Sequence, residues 1–222
     1  MTDEQINELF TDVFELLDIY KEYSPLHADG TNVIENVKPA IINMIDYIIK
    51  EPMETAALKD WLDKTDFWTA PASTRFHGSY EKGLMEHSMK VYEILKHKVE
   101  TSFVPINIPQ ESLIIIALLH DICKTNFYKV DYRNAKNALG VWEKVPFYAV
   151  EDTIPYGHGE KSVMMITEYI KLTPEEKYAI RWHMGYTEPK ELYGTIGEAY
   201  KRYPIALLMH EADLESTYFF NI

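Results

Sequence analysis

The uncharged run Leu113–Leu119 ends directly in His120 and Asp121, followed by Lys124, in "LLHDICK". Burying the run costs little, but an imidazole and a carboxylate at its end need partners. His87 in "GLMEHS", His183 in "IRWHMG" and Asp213 in "MHEADLES" also lie within or beside apolar helical stretches, and His158 in "YGHGEKS" opens one. Any one such histidine taken alone reads as a hydrogen-bonded core imidazole. Six groups on separate segments are harder to satisfy in pairs, and a shared divalent metal satisfies them together. Successive helical residues point about 100° apart. His120 and Asp121 therefore reach one ion only if it sits over the wedge between them, and the second oxygen of Asp121 can bridge to another. On this reading His87, His120, Asp121 and Asp213 take one ion, and Asp121, His158 and His183 take a second. Imidazole and carboxylate without thiolate suit iron, manganese, zinc, cobalt or nickel alike.

The elements that must carry these groups are mostly helices. Thr2 caps a helix in which Ile6, Leu9, Phe10, Val13, Phe14 and Leu17 recur at helical spacing. Further helices are predicted over "VIENVKPAIINMIDYIIK", "ETAALKDWLDKTDFW", "YEKGLMEHSMKVYEILKHKV", "IPQESLIIIALLHDICK" and "GEKSVMMITEYIKL". "TPEEKYAIRWHMG" adds another, with Thr173, Pro174 and Glu176 forming a capping box at its start. The last is "YPIALLMHEADLESTYFF". In the middle, "NFYKVDYRNAKNALGVWEKVPFYAV" changes period and is rich in Tyr, Val, Phe and Trp around "NALG", which predicts a β-hairpin between about Asn126 and Val150. The expected fold class is mainly all-α, with one inserted hairpin.

At 222 residues and 46% hydrophobic, the chain can bury one sizeable core, or one core with a helical appendage. No apolar run approaches a membrane span, and the acidic start lacks the basic region of a signal peptide. The lone Cys123 excludes an intrachain disulfide and a cysteine-rich zinc site. These features predict a soluble, cytoplasmic protein with no membrane partner. A formal charge of −13 repels long nucleic acids, whose binding rests on phosphate neutralisation. The charge is uneven, however. Lys124, Lys129, Arg133, Lys136 and Lys144 face only Asp131 and Glu143 over the stretch after the His-Asp pair, which favours a small anionic substrate.

The order His, then His-Asp, then Asp on helices, with "HDICK" close to the common "HDIGK", resembles the HD-domain superfamily of metal-dependent phosphohydrolases. The two intervening histidines resemble its two-metal members. The stretch "RFHGSYEKGLMEHS … LLHDICK … GHGEKS … RWHMG … HEAD" is similar to an uncharacterised bacterial and phage branch of HD-domain hydrolases. More loosely, it resembles the HD domain of a bacterial exoribonuclease. The likeness runs from about Arg75 to Tyr218. It implies an HD helical bundle over residues 71–222, with the hairpin insert at about 126–150. Residues 1–70 are expected to form a helical layer on that core or a homodimer contact.

The same resemblance implies a binuclear centre and hydrolysis of a small phosphate ester, a nucleotide above all, whether monoester or diester. Two close divalent ions acidify a water and clamp phosphoryl oxygens, and nearby cations neutralise the remaining charge. Asp121, Lys124 and Lys161 are the residues assigned to catalysis. Arg75, His77, Lys124, Lys161 and Arg181 are assigned to the substrate. Lys161 lies one helical step after His158 and otherwise reads as a solvated helix-end charge. Arg133 reads as a surface residue of the hairpin, and His210 as an orienting partner of Asp213. Two other readings share the six ligands: an HD-fold di-iron oxygenase, and a non-catalytic nucleotide-binding module, whose expected sign is a lost ligand.

Overall fold

The computed structural model describes residues 52–220, together with Ile42 and Ile45. Apart from Ile42 and Ile45, the two helices predicted before Pro52, and most of the predicted N-terminal layer, lie outside the described residues. Seven α-helices and one two-stranded sheet follow: α1 (Pro52–Asp63), α2 (Gly83–Thr101), α3 (Gln110–Leu119), β1 (Tyr128–Lys136), β2 (Trp142–Val150), α4 (His158–Thr167), α5 (Pro174–Arg181), α6 (Tyr193–Arg202) and α7 (Pro204–Glu215).

The helix α3 has no polar face, and Ser112 to Leu119 are all buried. A helix apolar all round belongs in the middle of a bundle. Accordingly α3 packs against α2 and α5, while α7 packs on α2, α5 and α6. The predicted capping box is present. Thr173 Oγ1 accepts from the Glu176 backbone N–H (3.3 Å), and Glu176 Oε2 accepts from the Thr173 N–H (2.8 Å). The other carboxylate oxygen of Glu176 accepts from the buried Ser112 hydroxyl (2.6 Å), so one side chain caps α5 and ties it to the start of α3. The hairpin is antiparallel, in register from Tyr128 with Val150 to Lys136 with Trp142. The Tyr128 hydroxyl donates to the Ala72 carbonyl (3.3 Å), which brings the hairpin base to the loop before α2.

Three elements differ from the sequence reading. The predicted helix through Lys124 stops at Leu119. His120 is still helical, Asp121 leaves the helix at φ −105, ψ 16, and Ile122–Lys124 form a single 3₁₀ turn. Aspartate competes poorly as a helix former because its carboxylate has better partners off the helix axis. The 100° argument for His120 and Asp121 therefore gives way to a local turn that aims the carboxylate independently. The helix α6 has no counterpart in the prediction. Its buried Ile196, Ala199 and Tyr200 have helical spacing, but Gly194 and Gly197 interrupt the pattern. Lastly, α7 ends in a π-type turn over Ser216–Phe220.

The loop between α1 and α2 is held by close backbone contact together with the Ser73 side chain. The Ala72 N–H donates to the Gly78 carbonyl (2.8 Å), and the Ser73 hydroxyl donates to the His77 carbonyl (2.7 Å). Gly78 has φ +53, and a Cβ added at Gly83 would run into the Gly78 carbonyl oxygen. This backbone-on-backbone approach sets His77 beside the first turn of α2. Gly83→Ala is expected to destabilise the fold by about 1–3 kcal/mol through overpacking against a neighbour that cannot swing away. A thermal melt beside wild type checks it, and an unchanged midpoint would refute the role given to this contact.

Candidate metal centre

The six sequence-predicted groups come together between α2, α3, α4, α5 and α7. His87 sits in the first turns of α2, His120 just past the end of α3, and Asp121 at the break that follows. His158 opens α4, His183 follows α5, and Asp213 lies near the end of α7. His87, His120, Asp121 and His183 are almost wholly buried. His158 and Asp213 form the more open side, with side chains 30% and 15% exposed.

The two oxygens of Asp121 divide the histidines into two sets. Oδ2 lies 3.6 Å from His87 Nε2 and 3.4 Å from His120 Nε2. Oδ1 lies 2.7 Å from His158 Nε2 and 3.5 Å from His183 Nε2. Asp213 Oδ1 closes the first set, 3.0 Å from His87 Nε2 and 4.0 Å from His120 Nε2.

Outer hydrogen bonds fix the direction of the rings. His120 Nδ1 donates to the Ala117 carbonyl (2.8 Å), and His183 Nδ1 donates to the Ile180 carbonyl (2.6 Å). A carbonyl only accepts, so in the neutral form of either ring, the form that ligates a metal, Nε2 turns its lone pair inward. His183 Nε2 is buried there with no hydrogen-bond partner among the described residues. His87 Nε2 and His120 Nε2 face each other at 3.2 Å. Inward lone pairs, an unpartnered buried nitrogen and two ionised carboxylates fit a cation better than they fit one another. His87, His120 and Asp213 form one group able to hold a metal, and His120, Asp121 and His183 another.

Electrostatics agrees with that fit. Burial opposes ionisation of Asp121, but the Lys124, His120 and His158 charges outweigh it and hold the carboxyl well below its usual range. Burial likewise opposes ionisation of Asp213, and the hydrogen bond and charge of His87, aided by His183 and His120, overcome it. Both are therefore carboxylates, as metal ligation requires. Burial lowers the His158 pKa, against the pull of Asp121.

Cys123, which takes the glycine position of the common "HDIGK", also reaches the cluster. Its Sγ lies 3.3 Å from His158 Nδ1, and with Asp121 and His158 it makes a third group of metal-ligand type. Burial, followed by the Asp121 charge, pushes its thiol up to about 12, so without a cation it stays protonated. The only sequence signal was its position two residues after Asp121.

Of the remaining predicted residues, Lys124 and His77 reach the cluster. Lys124 Nζ is 2.6 Å from Asp121 Oδ2. The His77 ring lies 5.0 Å from that of His87, centroid to centroid, and both its nitrogens lack a hydrogen-bond partner among the described residues. Burial, with the His87 and Lys124 charges, lowers His77 to about 4, which leaves it neutral at pH 7. Lys161 and Arg181 are engaged elsewhere. Lys161 Nζ donates to Asp152 Oδ1 (2.7 Å) and lies over the Phe127 ring. Arg181 pairs with Glu160, pairs with Glu188 at 2.7 Å, and stacks on Trp182. Arg75 lies over Phe76, off the cluster. His210 does not orient Asp213: its Nδ1 donates to the His183 carbonyl (2.6 Å), and its ring fills the space that a Cβ at Gly185, φ +53, would take.

No helix among the described residues is long and apolar enough to cross a membrane. No curated protein and no solved structure matches the chain. The HD domain family model matches residues 84–216, a span that contains His87, the His120-Asp121 doublet, the hairpin and Asp213. That match covers more than half of the chain, and by it the protein belongs to the HD domain family, a superfamily of metal-dependent hydrolases.

Proposed function

We propose that the protein is a phosphohydrolase that cleaves a small phosphate ester, a nucleotide above all, at a two-metal centre. The observation that carries this reading is the division of the Asp121 oxygens between two histidine sets. His87, His120, Asp121 and Asp213 would hold one divalent ion, and Asp121, His158 and His183 the other. Such ions supply Lewis acidity that acidifies water and neutralises phosphoryl charge.

The protein's own groups supply the rest. Lys124 carries its ammonium to the edge of the cluster, where it neutralises phosphoryl charge and fixes the Asp121 carboxylate. His77 offers a neutral ring with both nitrogens free, so its N–H can donate to an ester oxygen while the other nitrogen accepts from water. Ala117 and Ile180 hold the His120 and His183 rings in one tautomer, as outer partners of metal ligands do. Lys161 and Arg181 direct their charge to Asp152, Glu160 and Glu188 rather than to substrate.

The test is a panel of nucleotides and model phosphate esters, run with metal-stripped protein and with iron, manganese, zinc, cobalt or nickel restored one at a time. Phosphate release restored by metal is the expected result. Oxygen uptake with iron and an organic substrate, with no phosphate released, would replace the hydrolase by an oxygenase. A nucleotide bound and left intact would make the protein a binding module.

A further inference from the structure

Beside the candidate metal centre, the loop before α2 and the hairpin enclose a cavity of about 510 Å³. Its walls include Thr74, Arg75 and Ser79 from the loop, and Arg133, Phe147 and Tyr148 from the hairpin. The donors in it are unspent. Arg75 lies over the Phe76 ring at 5.0 Å and Arg133 over the Phe147 ring at 5.6 Å, and neither has a carboxylate partner among the described residues. The Thr74 and Ser79 hydroxyls have no hydrogen-bond partner there either. Of the four arginines among the described residues, Arg181 alone has a carboxylate partner there, and Arg75 and Arg133 are the two that line one cavity together. Burial, followed by the Glu81 charge, raises the Tyr148 phenol at this rim.

We propose that this cavity is a second phosphate subsite, which selects substrates carrying a phosphate group besides the one that is cleaved. Guanidinium forks match phosphate oxygens in pairs, the two hydroxyls add neutral donors, and the aromatic rings hold the guanidiniums in place while offering a face to a base. The link to the cluster is short in sequence. Arg75 and Ser79 flank His77, whose ring meets that of His87. A substrate seated in both places would run along one loop. Sequence spacing alone assigns Arg133 to the hairpin surface; the fold makes it one jaw of a clamp. The selectivity part of the proposal rests on the phosphohydrolase reading above, whereas the binding part does not.

The test uses the metal-loaded full chain in two measurements. In the first, arginine side-chain N–H resonances, assigned from Arg75→Gln and Arg133→Gln, are followed as inorganic phosphate is added. Both resonances are expected to move with one midpoint, and removing either arginine should raise the midpoint of the other tenfold or more. Resonances that stay still, or that respond with independent midpoints, overturn the subsite. In the second, kcat/KM for nucleoside bisphosphates and dinucleotides is divided by that for p-nitrophenyl phosphate. The Arg75→Gln/Arg133→Gln protein is expected to lose this ratio tenfold or more, and an unchanged ratio overturns the selectivity. Phosphate bound at the arginines without hydrolysis of any ester would sink the phosphohydrolase reading and leave the subsite standing.

Discussion

Asp121→Ala is expected to strip the protein of metal and of phosphate release in the same step. Asp121 divides its two oxygens between the histidine sets, since Oδ2 addresses His87 and His120 while Oδ1 addresses His158 and His183. Loss of an outer-shell partner of a metal ligand costs roughly 10- to 100-fold in affinity. Loss of a shared ligand should exceed that at both positions, so metal content falls toward zero and turnover to the metal-free background. The substitution also leaves Lys124 without its partner 2.6 Å away, a loss that can itself destabilise the fold. Asp121→Asn separates the two effects, since it keeps the shape and removes the charge. Elemental analysis, phosphate release and a thermal melt on both variants decide the matter. An Asp121→Asn protein that folds, keeps its full metal content and still releases phosphate would remove Asp121 from the bridging position.

The cluster of candidate ligands is legible in the sequence because its members break a pattern. His87, His183 and Asp213 are polar residues on otherwise apolar helices, and burying them without a collective partner is costly. The capping box at Thr173 and Glu176 and the hairpin between Tyr128 and Val150 were legible for a related reason, since each is a local rule satisfied by neighbours in sequence. What spacing could not give was the far partner of each charge. Lys161 has helical spacing from His158, yet its ammonium goes to Asp152; Arg181 precedes His183 by two residues, yet it spans Glu160 and Glu188. The turn at Asp121 and the carbonyl partner of His210 are tertiary outcomes of the same kind. Cys123 was hidden by its chemistry, because a neutral thiol that fits a glycine position gives no polar signal of its own. Arg133 was hidden by topology, for only the folded hairpin sets it across from Arg75.

Lys124→Ala is expected to leave metal content intact and to lower kcat by about 10²–10³-fold, the usual cost of removing one donor from developing charge in a shielded site. Burial alone would drive the Lys124 ammonium toward its neutral form, but the Asp121 carboxylate outweighs burial and raises its pKa above the ordinary lysine value. The charge is thus present throughout the neutral range and lost only in strong alkali, so Lys124 itself puts no step into a pH–rate profile between pH 6 and 9. The structure leaves two roles for this cation to be told apart. If Lys124 serves mainly to hold the Asp121 carboxylate in place, removing it loosens the shared ligand, and metal content falls together with activity. If it serves the phosphoryl group, metal stays, kcat falls, and Lys124→Arg recovers part of the loss because a cation is restored in the same place. Asp121 is also held by its contacts with His158, His183 and His120, three anchors that survive the substitution. Retention of metal is therefore the expected outcome, and metal lost in proportion to activity would assign Lys124 to holding Asp121 instead.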